Sequence, residues 1–225
     1  PDYHAIFAFS VTLTEAMKGR IVGFSLDTGA DDIWNTDNPQ IMVYINGKLT
    51  CAMDLNHHEV ILSDSAVPGE SYEIRLYAYV NSPGKSNFLY IKLFTKEPEA
   101  EALYYDMKLP LETAKQLRPE DENRRKLLEL LNQAGDLLDL RVKGSKEYRE
   151  SLKKASAWLK ENLYEKDWGE CPTVYALGHT HIDVAWKWPL RQTREKAVRS
   201  FSTVLYLMKR YPEYRFFLSQ PQLYE

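Results

Sequence analysis

The segment Gly178-His179-Thr180-His181-Ile182-Asp183 sets two imidazoles and a carboxylate at alternate positions. In extended backbone, His179, His181 and Asp183 point to one side, with roughly 6–7 Å between successive Cα atoms of the set. Side chains of that length can lean toward one cation, and divalent metals of borderline softness, zinc above all, accept mixed imidazole and carboxylate ligands. A bound metal would hold Asp183 as the anion, whereas unpaired burial would favour its neutral form. Gly178 permits a close backbone approach or a sharp bend at the entrance. Trp186 and Trp188 follow, and an aromatic face beside a metal suits the C–H surface of a sugar. The same residues also read as a strand end with exposed histidines, a helix-capping aspartate and core tryptophans, the last most readily for Trp188 ahead of Pro189. His57 and His58 are adjacent, hence on opposite faces of a strand and poor joint ligands, and surface or capping roles suit them better.

Elements must place that cluster. Residues 173–177 read as a short buried strand, and residues 190–210 as a helix whose inner face is Ala197, Phe201, Leu205 and Met208. Arg191, Arg194, Lys196 and Arg199 read as its solvated or salt-bridged face. Tyr211-Pro212 ends the helix, residues 214–218 read as the next strand, and a new helix opens after Pro221. Strand, helix, strand is the unit of a parallel sheet, and ligands gather at the carboxyl ends of such strands.

Upstream the pattern is different. Residues 1–97 alternate as short strands punctuated by Asn46-Gly47, Pro68-Gly69 and Pro83-Gly84, which predicts an antiparallel sandwich. Strands are expected over 4–11, 20–26, 40–45, 72–80 and 88–95. Residues 97–118 carry prolines and weak periodicity and read as a linker or an irregular wrap. From Pro119 onward, Leu127, Leu130, Leu131, Ala134, Leu137 and Leu138 make a helical stripe that Gly144 breaks. A second helix over 146–164 presents Tyr148, Leu152, Ala155, Leu159 and Leu163. The expected organisation is α+β and multidomain: a β-sandwich lead-in over 1–97, a linker and helical segment over 98–170, and the truncated start of an α/β, barrel-like catalytic domain over 171–225.

The 225 residues carry 27% charged and 44% hydrophobic residues and a net charge of −3, an ordinary globular balance. Residues 1–100 hold 7 Lys/Arg against 13 Asp/Glu, and residues 101–225 hold 22 against 19, so neither half has the basic surplus of a nucleic-acid binder. No stretch nears the roughly 20 apolar residues of a membrane span. No signal peptide opens the chain, although Pro1 in place of Met leaves the true N-terminus open. Cys51 and Cys171 make no CxxC and read as reduced, buried thiols, which fits a cytoplasmic protein.

Residues 178–186, continued by Arg194-Glu195-Lys196, Arg199-Ser200-Phe201-Ser202 and Phe217-Leu218-Ser219-Gln220-Pro221-Gln222-Leu223-Tyr224-Glu225, resemble the start of the catalytic domain of glycoside hydrolase family 38 α-mannosidases. Trp188-Pro189 resembles the branch that holds the cytosolic, vacuolar and bacterial enzymes. The resemblance implies a zinc-dependent, sometimes cobalt-activated, retaining exo-α-mannosidase acting on α-mannoside oligosaccharides. It implies His181 and Asp183 as metal ligands, Trp186 in the subsite for the terminal mannose, and His179 as a supporting residue. The metal would contact ring hydroxyls and help distort the sugar. Members of the branch often assemble through their N-terminal regions, so a homo-oligomer is in view. The family's nucleophilic aspartate, also a metal ligand, and its fourth ligand, a histidine, lie beyond residue 225, as the acid/base is expected to. These 225 residues alone are therefore expected to be inactive. Two rival readings remain: a different metal-dependent hydrolase using the same His-x-His-x-Asp site, and a carbohydrate-binding or assembly module in which the sandwich works, with Tyr77 and Tyr79 as a sugar platform.

Overall fold

A computed structural model describes residues 3–29, 39–80, 89–169, 172–186 and 188–224. Pro83-Gly84, residue 88 and Cys171 lie outside the described residues. The chain divides into two compact units, one joining residues 1–95 to 174–225 and the other comprising Lys96–Thr173.

In the first part of the first unit, the described residues form β1 (Tyr3–Thr12), β2 (Ile21–Asp27), β3 (Gln40–Ile45), β4 (Lys48–Met53), β5 (Glu59–Ser63), β6 (Ser71–Val80) and β7 (Tyr90–Lys96). They form a sheet in the order β1-β6-β3-β4 and a second in the order β5-β2-β7. Alternation decides what is buried: Ile74, Leu76 and Ala78 of β6 face the core with Ile41 and Val43 of β3, while Glu73 and Arg75 face outward. Phe24, Val22 and Val60 from the second sheet complete that core. Asn46 (φ 49°) and Gly47 (φ 77°) supply the two positive φ values of a type I′ turn, so Ile45 pairs with Lys48. His57 and His58 are not in a strand. They lie in the turn before β5, where Asp54 Oδ1 accepts the backbone N–H groups of Asn56 and His57, each at 2.8 Å. An aspartate that ties two amides this way makes a turn of what alternation alone reads as strand.

The second unit is helical. Its first segment departs from expectation: residues 97–118 are no linker but contain α1 (Pro98–Gln116). Pro98 sits in the first turn, where no N–H is needed, and Pro110 is accommodated inside the helix. Leu103, Pro110 and Ala114 alone are buried, which is why the periodic signal is faint. Asp121 caps α2 (Glu122–Asp136) by accepting the Asn123 N–H at 2.8 Å, and Ser145 caps α3 (Lys146–Leu159) through Tyr148 N–H at 3.0 Å. A π-helical turn, Lys160–Tyr164, extends α3. Tyr148, Leu152, Ala155, Leu159 and Leu163 are all buried, against Leu103, Leu131 and Ala134.

Residues 174–225 return to the sandwich. Residues 173–177 are irregular and exposed rather than a buried strand. Val174, Tyr175 and Leu177 are 81%, 87% and 62% exposed, because the ladder beyond them has only two rungs. That ladder pairs β8 (Gly178–His179) in parallel with β9 (Phe216–Phe217), joined by α4 (Leu190–Arg210). Pro221–Tyr224 form a short 3₁₀ turn. The inner face of α4 is also different from the apolar stripe: Leu205 is 67% exposed, while Thr193 and Arg199 are buried. α4 turns its polar side to the sandwich. Thr203 Oγ1 accepts the N–H of Ala52 at 3.1 Å, Tyr206 Oη accepts that of Ile61 at 2.9 Å, and Arg210 pairs with Asp64 at 2.9 Å. Ala52 and Ile61 belong to β4 and β5, an edge strand of each sheet. α4 thus satisfies outward-pointing amides of two open edges, one of the ways a fold protects exposed strands.

Candidate metal centre

β8 brings the His-x-His-x-Asp segment to the end of the parallel pair. Gly178 lets the Tyr214 phenol pack directly on the backbone there, since a Cβ would have to displace that ring, with Cζ at 2.6 Å. Ile182 is fully buried, and this pins the segment while its two neighbours face out. The result is a polar pair, with His181 Nε2 2.9 Å from Asp183 Oδ1 and side chains 73% and 39% exposed.

His179 is placed elsewhere. With Thr180 it lines an open pocket of about 290 Å³, together with Asp54, His57, Lys196 and Arg199. Among the described residues no group of three or more His, Cys, Asp or Glu side chains is disposed to hold a metal. The His181–Asp183 pair supplies two donor types that suit zinc as part of a ligand set. At 2.9 Å the two atoms are hydrogen-bonded to one another, and they would have to open to about 3.3 Å to share a tetrahedral zinc.

Trp186 is 64% exposed and stands edge-to-face on Trp188, with ring centroids 5.9 Å apart. Trp188 is held from behind by Lys196, whose Nζ lies 4.9 Å from the ring centroid. Burial pulls the Lys196 ammonium below its ordinary range, with Asp183 pulling the other way. Ala185, between the aspartate and the tryptophans, has φ 53°, a left-handed conformation that disfavours any side chain with a Cβ. Thr193, on the first turn of α4, is 4% exposed and reaches this loop with its hydroxyl. It accepts the Ala185 N–H at 3.1 Å and the Trp188 Nε1–H at 3.0 Å. Sequence reasoning missed it; a threonine four residues after Pro189 carries no more signal than any other residue of a helix's first turn.

On the sandwich side, Tyr79 is 8% exposed and stacks under the Arg199 guanidinium at 5.9 Å, and Tyr77 is half-buried. Tyr79 packs against α4, and the ring of Tyr77 lies 5.1 Å from that of His4. Arg199 lies 3.9 Å from Glu195 on the same helix.

Residues 172–225 match the family described as Glycosyl hydrolases family 38 N-terminal domain. The Alpha-mannosidase of Saccharomyces cerevisiae is 32% identical over 154 residues, which cover 65% of this chain and 14% of that protein. The Alpha-mannosidase G of Dictyostelium discoideum is 32% identical over 58% of this chain and 12% of its own length. Human Alpha-mannosidase 2C1 is 51% identical over 53 residues, 24% of this chain and 5% of the relative. The chain thus spans a small part of the length of these relatives. A solved structure of CBM51-2 and INT domains from Clostridium perfringens ZmpB aligns over 77% of this chain and 38% of that one at 14% identity and a TM-score of 0.25, too weak a likeness to carry an argument. The segment that holds the His181–Asp183 pair and the exposed Trp186 is the segment that matches the glycosyl hydrolase family 38 N-terminal domain.

Proposed function

We propose that the protein is a metal-dependent, retaining exo-α-mannosidase, of which these 225 residues form the N-terminal part. The observation that carries the reading is the His181–Asp183 pair beside an exposed aromatic ring at Trp186, inside the family-38 segment. His181 and Asp183 would hold the metal, zinc or in its place cobalt, which when bound supplies a Lewis acid for sugar hydroxyls. Trp186 offers its face to the apolar side of the terminal mannose, and His179 supports the strand end. Buried Ile182 keeps the two donors turned toward solvent.

A retaining mechanism needs a nucleophile and an acid/base whose carboxyl groups are about 5–5.5 Å apart. No residue of this chain is assigned either role, so the 225 residues alone are inactive in this reading. The β8-α4-β9 unit is then the opening of a barrel-like catalytic domain, to which the sandwich is a lead-in. Terminal α-mannosides of oligosaccharides are the substrates, the cytoplasm is the compartment, and self-assembly through the N-terminal region is in keeping with the branch. Among the described residues no helix is long and apolar enough to cross a membrane.

The test uses the full-length protein and an aryl α-mannoside. Hydrolysis should be abolished by a chelator, restored by zinc or cobalt, and lost in both His181→Ala and Asp183→Ala. Metal binding without glycosidase activity would replace this reading with a different metal-dependent hydrolase. Activity indifferent to chelator and to both substitutions would remove His181 and Asp183 from the site.

A further inference from the structure

We propose that Thr193 is a positioning residue for the metal and sugar site, and that its hydroxyl sets the loop from Asp183 to Trp188. The inference rests on the function proposed above, but its structural half can be measured without catalysis.

A hydroxyl has one proton to donate and two lone pairs to accept with. Thr193 spends all three on Asp183, Ala185 and Trp188. It accepts the Ala185 N–H at 3.1 Å and the Trp188 indole N–H at 3.0 Å, and its own O–H points to the Asp183 carbonyl at 3.5 Å. With the residue 4% exposed, little water is available to substitute for it. Each of the three bonds ends on something the site depends on. The Asp183 carbonyl belongs to the residue whose carboxylate meets His181. The Ala185 amide belongs to the residue in the left-handed conformation, which persists only where its surroundings hold it. The Trp188 indole is the backing on which Trp186 stands. One buried side chain of α4 therefore couples the spacing of the metal ligands to the orientation of the sugar platform. Thr193 touches neither metal nor sugar and acts through Asp183 and Trp188.

Thr193→Val keeps the shape and removes all three bonds, and Thr193→Ser keeps the hydroxyl. In the full-length protein, Thr193→Val should weaken zinc binding, read by competition with a chromophoric chelator, or lower kcat/KM for an aryl α-mannoside, by about 10–100-fold. It should also flatten the near-ultraviolet circular dichroism of the Trp186–Trp188 pair. Thr193→Ser should stay within about threefold of the parent on every readout, on the same scale of outer-contact effects. Trp188→Phe removes a single bond, so it should raise KM while leaving zinc affinity unchanged, a split that general destabilisation does not give. It keeps the idea testable if Thr193→Val does not fold. Parental metal affinity, kinetics and dichroism in a folded Thr193→Val would overturn the proposal. So would a Thr193→Ser as impaired as Thr193→Val, since the β-methyl rather than the hydroxyl would then be at work. A parent that shows no mannosidase activity sinks the function proposed above and leaves the zinc and dichroism comparisons to decide on Thr193.

Discussion

Asp54 and His57 form an ion pair whose two halves respond to pH in opposite directions. The Asp54 carboxylate, 3.3 Å from His57 Nδ1, raises the His57 pKa against the effect of burial. Burial raises that of Asp54, but the hydrogen bonds from the His57 ring and from the His57 and Asn56 amides outweigh it and lower the pKa overall. A raised histidine stabilises the fold fully below its unfolded pKa of about 6.5 and loses that contribution as pH rises through its folded value. A lowered aspartate contributes above its unfolded pKa of about 3.9 and loses it as pH falls. The pair is therefore worth most between about pH 4 and 6.5. The melting-temperature advantage of the parent over His57→Ala should be largest near about pH 5.5 and shrink by about pH 9. An advantage constant across that range would mean the ring matters only as packing. At this scale the sequence was readable where a residue's type dictates its environment. Gly178 gives the Tyr214 ring room against the backbone, and Cys51, its thiol pushed up to about 12 by burial, is the inert buried cysteine expected. Thr193 was not readable, since nothing local marks a threonine whose partners are three loop residues five to ten positions upstream.

Among the elements, those with a strong period were legible and those with a weak one were not. The five apolar residues of α3 and its π-helical extension are buried as their spacing predicts, and β6 alternates as it should. α1 was missed because a 19-residue helix with three buried residues and an internal proline hides its period. α4 was placed correctly along the chain but misjudged in orientation. Its apolar stripe points partly outward, and its polar side holds the sandwich. The latch is testable. Tyr206→Phe deletes the acceptor for the outward-pointing Ile61 amide, and a buried amide left unpaired costs about 1–3 kcal/mol. Because the contact is only partly buried, the lower half of that range is expected in the first urea transition, with Thr203→Val behaving alike at Ala52. Two silent substitutions would mean that water serves those amides as well as α4 does.

Taken as a molecule, the chain exposes several large apolar side chains on the segment that matches family 38. Val174, Tyr175, Leu177, Val184, Leu205 and Phe217 are each more than half exposed. Apolar side chains left in water favour association with other surfaces. The 225 residues, produced alone, should bind a hydrophobic dye and sediment with rising mass as concentration increases, and Tyr175→Ser with Leu177→Ser should reduce both. A monomer indifferent to the dye would mean that these side chains fold inward in solution. The compact unit that bears these side chains is discontinuous, made of residues 1–95 and 174–225. That discontinuity sets a timetable for biosynthesis. Ile61 leaves the ribosome 145 residues ahead of Tyr206, which is to satisfy its amide. At about 5–20 residues per second, the β5 edge therefore waits roughly 7–29 s with its backbone open, while the intervening helices are still being made. The newborn sandwich passes through its most adhesive state during that interval, so the yield of soluble protein should depend on translation speed and on holding chaperones more than on the stability of the finished fold.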